Sequence, residues 1–312
     1  MASFFLVYLL IPLAKQVAWR FRLIDMPVGR KAHKKPMPLS GGMAMYVGII
    51  MITACFAGIS TLWLVLTIGG ALLIAIGTLD DWYKARRMEF PVMPKLLVQL
   101  LAATLAFAMG IRFRGIGLSW LGAEDYGFFH FPLWLAYLAT VIWILGLINM
   151  LNFLDGADGL AGGVTTLAAT TLFFIALVKE QELTALIAIV LVGATLAFLR
   201  FNFFPAQLFM GDAGATFLGF ALGIVSLEGS MKGATMISLV VTVLALGLPV
   251  MDTLQVMISR LLAGTSITQA DRRHVHHRLM SRGLTAKQTV VVLYVISFLF
   301  SVVSLLLFLA VT

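Results

Sequence analysis

Charge is what this sequence has least of. Only 12% of its 312 residues are Asp, Glu, Lys or Arg, whereas 61% are hydrophobic. A water-soluble domain carries roughly 25% charged residues, so a soluble globular fold is excluded. Cysteine is nearly absent: Cys55 stands alone inside an apolar stretch, which rules out a disulfide framework. Low-complexity linkers and internal repeats are also missing, so the reading is one domain over residues 1–312. The net charge is +8, yet no soluble basic domain is present to carry it, which argues against nucleic acid as a partner.

What the chain does have is apolar runs of about 20 residues, each the length needed to cross a bilayer. About ten are expected, near residues 2–18, 43–60, 62–79, 94–110, 132–150, 160–178, 184–200, 214–229, 235–258 and 289–311. The fold class is therefore all-α and polytopic. Met1–Ala18 has no basic n-region or small-residue cleavage site and is expected to be the first span. The second and third spans, joined near Ser60-Thr61, should form a helical hairpin.

An even number of spans puts both termini on one side. Of the 22 lysines and arginines, all but Arg112, Arg114, Lys179 and Lys232 fall in one alternating set of loops. By the positive-inside rule that set is cytoplasmic, and both termini lie outside. The glycine- and aromatic-rich connection 111–131 on the outer side reads as a short hairpin or interfacial segment.

The same basic face collects the acids and histidines. Asn149-Met-Leu-Asn152-Phe-Leu-Asp155-Gly-Ala-Asp158-Gly lies between two apolar runs that do not need so polar an insert. It reads as part of a site for a metal ion and a nucleotide diphosphate, although a polar turn or a transporter-type broken helix would use the same residue types. Asp80-Asp81 ends the third span, where two carboxylates oppose the helix dipole, with Lys84 one turn on to ease them. They could bind a divalent ion, accept a proton from a phosphate, or be a solvated helix end. Gly211-Asp212 opens the eighth span, and Asp212 is placed to be an N-cap, a metal ligand, or both.

His274-Val-His276-His277-Arg278 sits in the last basic loop with Arg272 and Arg273. Zinc would want thiolates or spaced ligands that are missing, whereas arginines and imidazoles suit phosphate. The first loop, Gly29–Gly42, is basic enough to be a positive-inside anchor on anionic lipid or a further phosphate contact. In the ninth span Pro249 should bend the helix, and Asp252 beside it should face protein or water. Such a bend could open a groove to lipid.

In this order, Asp80-Asp81, Asn149-x-x-Asn152-x-x-Asp155-x-x-Asp158-Gly, Gly211-Asp212 and His274-Val-His276-His277 resemble the polyprenyl-phosphate N-acetylhexosamine-1-phosphate transferases. The likeness spans nearly the whole chain. The interrupted histidine run is similar to the WecA- and TagO-type branch rather than the MraY-type branch. The resemblance implies a multi-pass protein of the inner (cytoplasmic) membrane that moves GlcNAc-1-phosphate from UDP-GlcNAc to undecaprenyl phosphate, releases UMP and starts a cell-envelope polysaccharide. Another UDP-hexosamine or UDP-MurNAc-pentapeptide would be the alternative donor. It also implies Mg²⁺, with Mn²⁺ as a substitute, held at Asp212 with Asn152. Asp80, Asp81 and Asp212 would be catalytic. Asn149, Asn152, Asp155, Asp158, Lys84, His274, His276, His277 and Arg278 would bind substrate, with uridine near Asp158. Membrane lipids surround the protein, and a homodimer is expected from relatives. An ion-coupled secondary transporter is the rival class, and it would place its acids near mid-bilayer with repeat symmetry.

Overall fold

The fold was analysed in a computed structural model, which describes residues 1–27, 35–117, 128–231, 236–262 and 274–310. Twelve helices make up nearly all of it: α1 (Ala2–Phe21), α2 (Gly41–Ala57), α3 (Thr61–Ala85), α4 (Val92–Ala108), α5 (Leu133–Leu154), α6 (Leu160–Val178), α7 (Glu182–Asn202), α8 (Gly211–Met231), α9 (Met236–Ala245), α10 (Gly247–Leu262), α11 (Val275–Ser281) and α12 (Ala286–Leu309). Two small antiparallel hairpins complete it. Strand β1 (Ile24–Asp25) pairs with β2 (Met37–Pro38), and β3 (Gly115–Gly117) pairs with β4 (Phe128–His130). The second is the hairpin expected within 111–131; residues 118–127 lie outside the described part.

Apolar composition makes these segments helical, because a helix satisfies every backbone group within itself where no water can. Their ends carry the usual signals. Ser60 Oγ accepts the Trp63 N–H at the start of α3, and Thr285 with Gln288 forms a reciprocal capping box on α12. Gly58, at φ 64°, turns α2 into α3, so the expected hairpin is present. Tyr46 donates to the Thr67 carbonyl and the Trp63 indole to the Ile50 carbonyl, pinning the two helices together.

The protein is an all-α polytopic membrane protein. Among the described residues six helices are long and apolar enough to cross a bilayer (α1, α3, α5, α6, α7 and α12), or seven if α9 and α10 count as one broken span. Helices α2 and α4 have 17 residues each, short for a bilayer. The acids and glycines of α8 dilute its hydropathy. The ninth expected span is two helices meeting at 84°. Its break falls between Ala245 and Gly247, ahead of Pro249, which sits in the first turn of α10. There its missing N–H costs no intrahelical bond.

Helix α8 is the hub, packed on α2, α3, α5 and α6, with Phe217 and Phe220 fully buried. A Cβ at Gly77 of α3 would overlap the backbone of Ala213, and one at Gly42 of α2 would overlap Gly214. Both neighbouring helices thus approach the first turn of α8 to backbone contact, which brings the end of α3 onto the start of α8. The first loop is tied in by a parallel bridge from Leu39 to Phe209 and by the Gly41 and Gly42 N–H groups, which donate to the carbonyls of Phe209 and Met210.

Gly77→Val should force α3 off α8 and cost about 1–3 kcal/mol, the usual range for overpacking. A thermal melt of the detergent-solubilised protein would register this as a lowered midpoint, whereas Gly146→Ala, where a Cβ meets only the end of Met150 at 3.7 Å, should lower it by less.

Candidate active site

Helix α3 carries Asp80 and Asp81 to its last turn, where their charges oppose the dipole, and the packing above resolves this differently for each. Asp81, 3% exposed, aims at the start of α8: its Oδ1 accepts the Asp212 N–H at 2.9 Å and its Oδ2 the Ala213 N–H at 3.3 Å. Gly211, at φ 72°, makes room for this carboxylate, since a Cβ there would strike it. The N-cap role open to Asp212 is thus filled from another helix, and Asp212 keeps its own carboxylate free. That carboxylate meets two lysines. Lys84 Nζ is 2.8 Å from Asp212 Oδ1, and Lys95 Nζ of α4 pairs with Asp212 Oδ2. Both lysines also reach Asp80 Oδ2, at 3.2 Å and 2.8 Å. Asp80, Asp212, Lys84 and Lys95 therefore form one alternating ring of charge.

The central polar stretch divides between helix and turn. Asn149 and Asn152 are in the last turns of α5, Asp155 is its C-cap, and Asp158 lies in the turn before α6. Asn149 donates to Gln99 of α4 at 3.1 Å and to the Leu145 carbonyl at 2.8 Å, which turns it toward α4. Among the described residues no hydrogen bond reaches the carboxamide of Asn152. Asp158 Oδ2 accepts the Ala206 N–H at 3.0 Å. Gly159, at φ 81°, is gripped on both sides: its N–H donates to Asn202 Oδ1 at 2.9 Å, and its carbonyl accepts from the Tyr294 hydroxyl at 2.6 Å. Burial, with the Asp212 and Asp81 carboxylates nearby, holds the Asp155 carboxyl well above the usual range.

Helix α11 brings the histidines to this turn. His274 is its N-cap residue, and its Nδ1 is 2.8 Å from Asp252 Oδ2 on α10, so Asp252 does face protein as expected. His276, 1% exposed, lies against Gly156, and among the described residues neither ring nitrogen has a partner. Desolvation, then the neighbouring His277, pushes its pKa down to about 4. Arg278 is exposed, and Asp271, Arg272 and Arg273 fall outside the described residues.

A cavity of about 1200 Å³ opens where these pieces meet. Of the expected site residues, Asp81, Lys84, Asp155, Asp158, Asp212 and His277 line it; Asp80, Asn149, Asn152, His274, His276 and Arg278 do not. Phe204 and Phe209 add flat apolar walls, and Asn202 joins the lining. The sequence reading missed Lys95, Gln99, Asn202 and Tyr294 as parts of the site. The first three carried a signal, each being polar beside or within an apolar run; Tyr294 carried none. Among the described residues no three of His, Cys, Asp and Glu gather in a metal-binding group.

Because the folded protein keeps His276 neutral while the unfolded chain binds a proton, falling pH favours unfolding. Stability should therefore decline as pH drops from about 6.5 to about 4. Melting curves of wild type and His276→Leu across that window would check this, with the variant showing the shallower decline.

Comparison with known proteins gives the family. A family model described as glycosyl transferase family 4 matches residues 63–230. A probable undecaprenyl-phosphate N-acetylglucosaminyl 1-phosphate transferase of Bacillus subtilis (strain 168) is 35% identical over 98% of this chain and 83% of its own length. The undecaprenyl-phosphate alpha-N-acetylglucosaminyl 1-phosphate transferase of Escherichia coli (strain K12) is 30% identical over 90% and 75%. The decaprenyl-phosphate N-acetylglucosaminephosphotransferase of Mycolicibacterium smegmatis (strain ATCC 700084 / mc(2)155) is 29% identical over 89% and 73%. With residues 63–230 matched and the likeness running almost end to end, the chain belongs to glycosyl transferase family 4.

Proposed function

We propose that this protein transfers GlcNAc-1-phosphate from UDP-GlcNAc to undecaprenyl phosphate, releasing UMP, at the cytoplasmic face of the inner membrane. One observation carries the reading: the helix that brings His277 to the charged cavity is held at its start by Asp252 of the bent helix pair that walls an apolar groove. The groove, about 850 Å³, is lined among others by Val243, Leu244, Val250, Met251, Leu254 and Phe300. A long isoprenoid needs such an apolar path, and a nucleotide sugar needs a pocket with charged and polar groups, for which the cavity of about 1200 Å³ has ample room beside the roughly 300–1,000 Å³ of most ligand sites. The relatives' printed acceptors, undecaprenyl and decaprenyl phosphate, support the same reading. For orientation we keep the positive-inside assignment, with ten spans and both termini outside.

The chemistry starts from charge. A lipid phosphate must attack the sugar-side phosphorus of a pyrophosphate, so anion meets anion. The new bond joins the lipid phosphate oxygen to that phosphorus, and the bridging oxygen leaves with UMP. Lys84 and Lys95 stand where this charge would gather and can turn from Asp80 and Asp212 to phosphate oxygens. His277 and the start of the histidine helix would donate hydrogen bonds to charge developing as the bond breaks. Phe204 and Phe209 offer flat surfaces for a base, near Asp158 and Asn202. A phosphate monoester has its second pKa near 6, so the acceptor is mostly ionised already. Asp80 as a base would help without being required.

The carboxylates near Asp212, those of Asp80, Asp81 and Asp155, offer oxygen donors, which fits a hard divalent cation, and two ammonium groups already compensate charge there. Asp212, with Asn152, would hold Mg²⁺, which when bound neutralises the pyrophosphate and the departing UMP. Asp81 acts at one remove, through the first turn of α8.

UMP release should follow incubation of purified protein with undecaprenyl phosphate, Mg²⁺ and UDP-GlcNAc, and should stop on adding EDTA. Release with a different UDP-hexosamine alone would correct the donor; no lipid-dependent UMP from any donor, in folded protein, would overturn the class. Asp212→Ala should lower kcat/KM roughly 100-fold or more, with Asp80→Asn losing distinctly less; equal, modest losses would break this division of roles.

A further inference from the structure

Asp252 has no part in the transfer as derived, yet it is among the most deeply buried acids in the chain, at 1% exposure. It sits on α10, between the groove-lining residues Met251 and Leu254. Both of its oxygens are committed to the histidine segment. Oδ2 lies 2.8 Å from His274 Nδ1, and Oδ1 accepts the Val275 N–H at 2.7 Å. The second bond caps the start of α11 from a helix 22 residues or more away in sequence. A carboxylate can only accept, so the first bond requires the proton on His274 Nδ1 and leaves Nε2 without one in the neutral ring.

From His274 a series of rings leads to the cavity. The His274 ring lies 5.1 Å from Phe153 of α5 and 6.1 Å from His276, nearly parallel to it at 15°. His276 is 4.1 Å from His277, which lines the cavity. We propose that Asp252 is the positioning residue of the histidine helix. From the groove helix it sets the tautomer and orientation of His274 and the start of α11, and through this series of neighbouring rings it places His277 at the cavity. Histidines that bind ligands are commonly oriented this way by a carboxylate on the far nitrogen. The effect on turnover rests on the transferase reading; the tautomer does not.

Asp252→Asn tests this without emptying the site. Its amide oxygen can still cap Val275, but its NH₂ must donate to His274 Nδ1, which moves the ring proton to Nε2. In long-range ¹H–¹⁵N spectra of histidine-labelled protein, the His274 signal, assigned by its loss in His274→Gln, should change from the Nδ1–H to the Nε2–H pattern. The melting midpoint should stay near wild type. The kcat for UMP release should fall about 10-fold or more, while KM for the UDP-sugar stays within about twofold. The double variant Asp252→Asn/His274→Gln should lose no more than His274→Gln alone, because the two act as one unit.

An Nε2–H tautomer in the wild type overturns the proposal and needs only the His274→Gln assignment, so it decides even if Asp252→Asn does not fold. A changed tautomer with unchanged kcat would also overturn it. Absence of UMP from every donor would sink the transferase reading and leave the spectroscopic result standing by itself.

Discussion

The arrangement turns on one contact, a carboxylate from the end of α3 seated on the first N–H groups of α8. It solves two problems at once. A buried helix start has unpaired donors that cost free energy in an apolar medium, and Asp81 satisfies two of them. Asp81 itself, at the wrong end of its own helix, gains the favourable end of another. Glycines on both sides, Gly77 and Gly211, are what let the two backbones come close enough. With the cap supplied from outside, Asp212 is left to face the lysines. Asp80 and Asp81 are neighbours in sequence but do different things: one holds charge in the site, the other holds the helix that carries the site.

A second support runs from the opposite direction. The turn bearing Asp155 and Asp158 is held at Gly159 by Asn202 of α7 and Tyr294 of α12, while His276 rests against Gly156. The acids in this turn are thus carried by three helices besides their own. Functional side chains on a turn are usually less well fixed than those on helices; here the backbone of the turn is hydrogen-bonded as a strand would be.

Much of the site was legible because charge is so rare here. Each of Asp80, Asp81, Asp155, Asp158 and Asp212 stands out against an apolar background, and the lysine and arginine pattern independently put them on one face. Roles were harder to read than positions. Asp212 looked like a cap because local rules assign a cap to the nearest acid, whereas the acid that caps α8 lies 131 residues away in sequence. Lys95 looked like the basic edge of a span; its pairing with Asp80 and Asp212 depends on α4 packing against α3. Tyr294 is one aromatic among many in a long apolar helix. The bend near Pro249 was foreseen, but its place was not, since a proline tolerates the first turn of a helix and the break falls before it.

The ring of Asp80, Asp212, Lys84 and Lys95 has a consequence for how ligands enter. With two acids and two bases already matched, the ring itself holds little net charge to draw an anion or a cation by attraction alone. An arriving phosphate must take a lysine from a carboxylate, and an arriving cation must take a carboxylate from a lysine. Each of these trades by itself leaves a stranded charge of opposite sign, while the two together leave none. Donor and metal ion would therefore favour each other's entry, as partners in a single double exchange.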